Sequence, residues 1–154
     1  MDAKSFGFDS EILGFSRPRK QVYKIVPELQ RNLFADCPES VKVYARTLRD
    51  KEWRFHVVDQ DTGWCRNYDR TIVIPAWLWK PTKTADYRVW YISHELAHAF
   101  DECKHNHGPE FMSWLKEICP ANVVHHELGY KPRLAAQAGI RNPDDASAID
   151  TFDL

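Results

Sequence analysis

Between residues 84 and 101 the apolar positions return every three or four residues, at Val89, Ile92, Leu96, Ala99 and Phe100. At about 100° per residue they fall between roughly 140° and 240° from His94 around a helix axis. The spacing predicts an amphipathic helix over 84–101. A second helix is expected over 109–118, opened by Pro109, with Phe111, Met112, Trp114, Leu115 and Ile118 gathered to one side. Upstream, Val22, Tyr23, Val26, Leu29 and Leu33 predict a helix over 20–34 that Pro27 weakens. Period-two alternation predicts strands over 41–48, where Val41, Val43 and Ala45 alternate with Lys42, Tyr44 and Arg46, and over 53–59. After a turn at Asp61-Thr62-Gly63, a third short strand is expected over 70–75. A short helix over 131–138 is stopped by Gly139. Helix, then strands, then helices predicts an α+β fold with a small antiparallel or mixed sheet.

The face of the 84–101 helix opposite its apolar stripe carries His94-Glu95-Leu96-Ala97-His98, an H-E-x-x-H motif. Four residues apart, the two imidazoles differ by only about 40° around the axis and reach one ion. Glu95 lies about 60° from His98, beside such an ion rather than behind it. Tyr87, Tyr91 and Asp101 project near the same face. Catalytic zinc usually takes three protein ligands and keeps a fourth position for water. His105 and His107 are the candidates for the third. His107 is preferred, because Gly108 permits a sharp turn and Pro109 starts a packed helix directly after it. Asp101 is a candidate to orient an imidazole from behind.

His-Glu-Leu-Ala-His, a short insert and His107-Gly108-Pro109-Glu110-Phe111 together resemble the SprT-like (Spartan/SprT) family of zinc metallopeptidases, most strongly over residues 87–115. The resemblance implies a minimal zincin-like domain over about 20–119, with a 1–19 arm before it and a 120–154 extension after it. It also implies His107 as third zinc ligand beside His94 and His98. Glu95 would then be the catalytic base, drawing a proton from a water that one Zn2+ ion acidifies, with a protein or peptide as substrate. Zincins often add a residue that holds the developing oxyanion; Tyr87, Tyr91 and Tyr130 are candidates. In zinc peptidases of this kind an edge strand before the metal helix often receives the substrate, and 71–74 is the candidate here. Trp77 and Trp79, just beyond, are candidates for cleft lining or for packing. Many members of the family carry a Cys-x-x-Cys ribbon. Cys37, Cys65, Cys103 and Cys119 have no such spacing, so the resemblance covers the catalytic unit only.

Composition adds bounds. The 154 residues make about one domain, and 44% hydrophobic with 28% charged residues is ordinary for a globular chain. Aromatic residues are plentiful at 13%, six of them tryptophan, and supply large buried area per residue. A net charge of −1 gives no global pull toward nucleic acid or membrane. Basic clusters at 17–20, 46–54 and 80–83 could meet phosphates, but acidic residues are interleaved with them. No apolar run approaches a membrane span, the first residues do not form a secretory signal, and unpatterned cysteines suggest reduced thiols. A cytoplasmic location is expected. His125-His126-Glu127 lacks the spacing of a metal motif. Two other functions remain open: an antirepressor-like metallopeptidase with one target, and a non-catalytic zinc-containing module that binds nucleic acid.

Overall fold

The computed structural model describes residues 24–143. The expected 1–19 arm, the start of the 20–34 helix and most of the acidic tail lie outside these residues. A short helix, α1 (Pro27–Arg31), leads into α2 (Glu39–Asp50). Three strands follow: β1 (Arg54–Val58), β2 (Trp64–Arg66) and β3 (Thr71–Pro75). Next come a 3-10 turn (Ala76–Trp79), the long helix α3 (Ala85–Phe100) and α4 (Pro109–Ile118). A second 3-10 turn (Val124–His126) runs into α5 (Glu127–Tyr130), and α6 (Pro132–Gln137) closes the series.

The architecture is α+β with a mixed three-stranded sheet in the order β1-β3-β2. β3 pairs in parallel with β1, setting Phe55 opposite Ile72 and Val57 opposite Ile74. It pairs antiparallel with β2, setting Cys65 opposite Ile72. Helices α2, α3 and α4 pack with the sheet around one core that includes Val41, Leu48, Val57, Ile74, Leu96 and Leu115, each 2% exposed or less. A Leu or Ile buried this fully contributes roughly 1.5–3 kcal/mol relative to exposure.

Four expectations are corrected by this arrangement. Residues 41–48 are helical, not a strand. Val41, Ala45 and Leu48 are the buried positions of α2, at the i, i+4, i+7 spacing of one helix face, whereas Val43 is 46% exposed. The local alternation of Val and Ala with charged residues is incidental to that longer period. The 20–34 helix shrinks to α1 because Pro27 begins a helix rather than sitting inside one. Ahead of it Ile25 bridges Val58, and Val26 donates its N–H to the Val57 carbonyl at 3.0 Å. β2, only three residues long, was not expected at all. Finally, β3 is the central strand, its residues 71–73 paired on both edges, so it is not the free edge strand expected to receive a substrate. Its five residues are all buried, as a continuous apolar run flanked on two sides should be.

β1, β3, α3, α4 and α6 match the expected spans closely, whereas α5 and the two 3-10 turns had no expected counterpart. Thr84 caps α3, its hydroxyl accepting from the Tyr87 N–H at 3.1 Å. Pro109 opens α4 as its first residue. Residues 59–63 form an irregular link from β1 to β2 rather than a hydrogen-bonded turn, and Gly63 sits in it for a particular reason. A Cβ at Gly63 would sit 2.6 Å from the Val73 carbonyl oxygen and 2.8 Å from the Tyr91 hydroxyl. Only glycine lets the chain pass that close to β3.

Candidate metal centre

Helix α3 carries His94 and His98 on one face, and the turn before α4 returns His107 to it. The helix ends in a Schellman arrangement: Cys103 N–H donates to the His98 carbonyl at 2.8 Å, and Glu102 N–H to that of Ala99 at 3.0 Å. Glu102 (φ 54°) occupies the left-handed position that glycine usually takes there. The chain is thereby reversed at once, and six residues span from the end of α3 to His107.

The three imidazoles converge through Nε2 atoms. His107 Nε2 lies 3.2 Å from His94 Nε2 and 3.2 Å from His98 Nε2. One ligand atom from each ring lies within 4.8 Å of the others. A tetrahedral cation with nitrogens at about 2.05 Å spaces them about 3.3 Å apart, which the two 3.2 Å separations through His107 match. Phe111, fully buried on α4, forms a common floor. Its ring centroid lies 4.9 Å from that of His94, 4.3 Å from His98 and 5.1 Å from His107.

Hydrogen bonding sets which nitrogen is free. Glu127 Oε1 accepts from His94 Nδ1 at 2.8 Å and from Trp90 Nε1 at 2.9 Å. Trp90 can only donate, so Glu127 Oε1 is an acceptor; a neutral His94 therefore carries its proton on Nδ1, with its Nε2 lone pair toward the other two rings. Burial opposes charge on His94, but the Glu127 carboxylate and its hydrogen bond outweigh this and raise its pKa. The other two rings go the opposite way. Burial, and then the charge of His94, hold His98 well below the ordinary histidine value and take His107 down to about 3. Neutral rings keep their lone pairs for a cation.

Glu95 stands beside this cluster, 6% exposed, with Oε1 buried and unpartnered among the described residues. Burial pushes its carboxyl up to about 7, with His94 opposing and Glu127 adding to the shift. Such a group can trade a proton near neutral pH.

Compared with known protein families, curated proteins and solved structures, this chain matches none.

Of the residues singled out in the sequence, His94, Glu95, His98 and His107 come together. His105 does not: its Nδ1 pairs with Asp101 Oδ1 at 2.8 Å, and Asp101 Oδ2 accepts the His105 backbone N–H at 2.9 Å. Asp101 thus orients an imidazole, but one outside the cluster. Among the tyrosines, Tyr91 uses its hydroxyl to accept from Gly63 N–H at 2.9 Å, and Tyr87 packs on Trp90 and His126. Tyr130 stands closest to the centre, its ring 5.3 Å from His94 and 5.5 Å from His107. Trp77 and Trp79 pack against the core, and Trp77 Nε1 donates to the Asp61 carbonyl at 2.7 Å. The basic clusters are partly engaged: Arg46 pairs with Glu39, Arg49 covers Phe34 and Phe55, and Lys83 covers Trp77 and Tyr87.

Glu127 was missed. It lies 33 residues from His94 in a four-residue helix too short for a periodic signal. In the sequence it is named only within His125-His126-Glu127, which lacks metal-motif spacing, yet it is the one of the three that hydrogen-bonds His94.

Proposed function

We propose that the chain is a zinc-dependent metallopeptidase of the SprT-like, zincin kind, with His94, His98 and His107 as ligands and Glu95 as its general base. The observation that carries this reading is the convergence of three Nε2 atoms with a buried, unpartnered carboxylate next along the same helix. When bound, the ion supplies Lewis acidity, bringing the pKa of a water toward about 7 and polarising a carbonyl.

The protein groups do the rest. Burial raises the Glu95 carboxyl to about 7, and a bound cation would lower it again, leaving Oε1 to accept a proton. Having taken the proton from water, Glu95 returns it to the amine that leaves when the peptide bond breaks. Tyr130, whose ring lies 5.3 Å from that of His94 and 5.5 Å from that of His107, is the tyrosine that would donate to the oxygen on which negative charge develops. Burial first, and then Glu95, raise its pKa and keep it protonated for that role. Glu127 holds His94 in the tautomer that ligation requires. The substrate is a protein or peptide. Among the described residues no helix is long and apolar enough to cross a membrane, and action in the cytoplasm belongs to the same proposal.

The test is Glu95→Gln, with zinc content and cleavage of an unstructured protein such as casein measured on one preparation. Zinc should stay near one equivalent while hydrolysis falls by about 100-fold or more, the scale of general-base catalysis. Retained hydrolysis would mean that another group is the base. A zinc-loaded wild type that cleaves neither casein nor itself would remove the peptidase reading.

A further inference from the structure

Cys65 and Cys103 are 38 positions apart and share no motif spacing, yet their sulfurs lie 3.2 Å from each other. Cys65 sits on β2, an edge strand, and Cys103 on the turn that leaves α3 toward His107. Both side chains are partly exposed, and Cys103 lies between the exposed Glu102 and Lys104. The pairing is built by the backbone. Consecutive left-handed residues, Glu102 (φ 54°) and Cys103 (φ 57°), turn the chain so that the second thiol meets the strand. The Cys103 N–H is fixed on the His98 carbonyl at the same point. Cys37 and Cys119 contrast with this pair. Each is 4% exposed; burial raises both thiols to about 12 and raises Cys65 as well, so the pair is set apart by its sulfur contact and partial exposure rather than by acidity.

We propose that Cys65 and Cys103 are a reversible thiol–disulfide site that reacts with small-molecule disulfides and, when oxidised, ties β2 to the turn that carries the third histidine. Two sulfurs already in contact need to approach by little more than 1 Å to reach the bonded separation of about 2.05 Å. Cys103, flanked by exposed residues, reacts first. It loses its proton to solvent and attacks one sulfur of the small disulfide, releasing one small thiol. Cys65 then loses its proton and attacks the Cys103 sulfur of the mixed disulfide, releasing the second. Two protein thiols are oxidised to one disulfide, and one small disulfide is reduced to two thiols. The closed loop contains β3 and all of α3, so the bond restrains both the sheet edge and the metal helix. The bond itself is independent of the peptidase reading.

The test uses the whole chain equilibrated with excess oxidised glutathione, then analysed by intact mass and by peptide mapping after blocking free thiols. The expected product has lost two hydrogens, carries a Cys65–Cys103 cross-link, and leaves Cys37 and Cys119 as thiols. Dithiothreitol should reverse it. The oxidised form should melt roughly 5–15 °C higher than the reduced form, as closure of a loop this long implies. Cys65→Ser should stop at a glutathione adduct on Cys103, and Cys103→Ser should show neither cross-link nor melting shift. Three results would overturn the proposal: wild type that keeps a glutathione adduct, wild type in which both thiols stay free, or a cross-link with unchanged melting.

Discussion

Two histidine–carboxylate pairs, their histidines eleven positions apart, share one distance. His94 Nδ1 meets Glu127 Oε1 at 2.8 Å, and His105 Nδ1 meets Asp101 Oδ1 at 2.8 Å. Their surroundings differ completely. The His94 side chain is 7% exposed against a Glu127 that is wholly buried, while that of His105 is 46% exposed. In the first pair water cannot replace either partner, so the contact fixes a tautomer and aims a lone pair. In the second, water competes for the imidazole, and the more durable task of Asp101 is to accept the His105 backbone N–H and shape the turn. Geometry alone would call the two pairs equal. Burial, and what the far side of each ring faces, separates a ligand from a bystander.

That contrast can be broken at its strongest point first. Glu127→Ala leaves the Nδ1–H of His94 and the Nε1–H of Trp90 buried without an acceptor, at about 1–3 kcal/mol each. A loss of about 3 kcal/mol or more in urea unfolding is expected, with zinc affinity down about 10- to 100-fold. Glu127→Gln restores an acceptor of the same shape, so most of the stability should return while zinc affinity stays about tenfold low. If both variants kept full affinity, the buried pair would be structural only. Next in size, Asp101→Ala should cost about 1 kcal/mol through the lost backbone contact and leave zinc affinity unchanged. Smallest of all, His105→Ala should shift stability by no more than about 0.5 kcal/mol in the same unfolding assay. A larger loss would mean that the exposed pair carries weight the comparison denies it.

Legibility in the sequence followed the range of the interaction. Helix α3, its cap at Thr84 and the proline-opened α4 could be read because each is written within a few turns of itself. His107 could be placed because Gly108 and Pro109 fix the chain just after it. Helix α2 was misread because Val41 to Arg46 alternate over six residues, and the deciding burial of Leu48 appears only when the window is lengthened. The central place of β3 depends on β2, three residues with no pattern of their own. The partnership of Glu127 with His94, the Cys65–Cys103 contact and the floor supplied by Phe111 are tertiary juxtapositions that no spacing encodes. The candidate ligands were thus visible from local sequence, while the groups that orient and tether them emerged only from the fold.

The central claim is that three particular imidazoles grip one metal ion. It is tested most directly by titrating zinc into the apoprotein against a competing chelator, for wild type, His107→Ala and His105→Ala side by side. The account predicts one tight equivalent in wild type, an unchanged site in His105→Ala, and loss of tight binding in His107→Ala. A wild type that takes up no zinc, or a His105 variant that loses more affinity than the His107 variant, would contradict it.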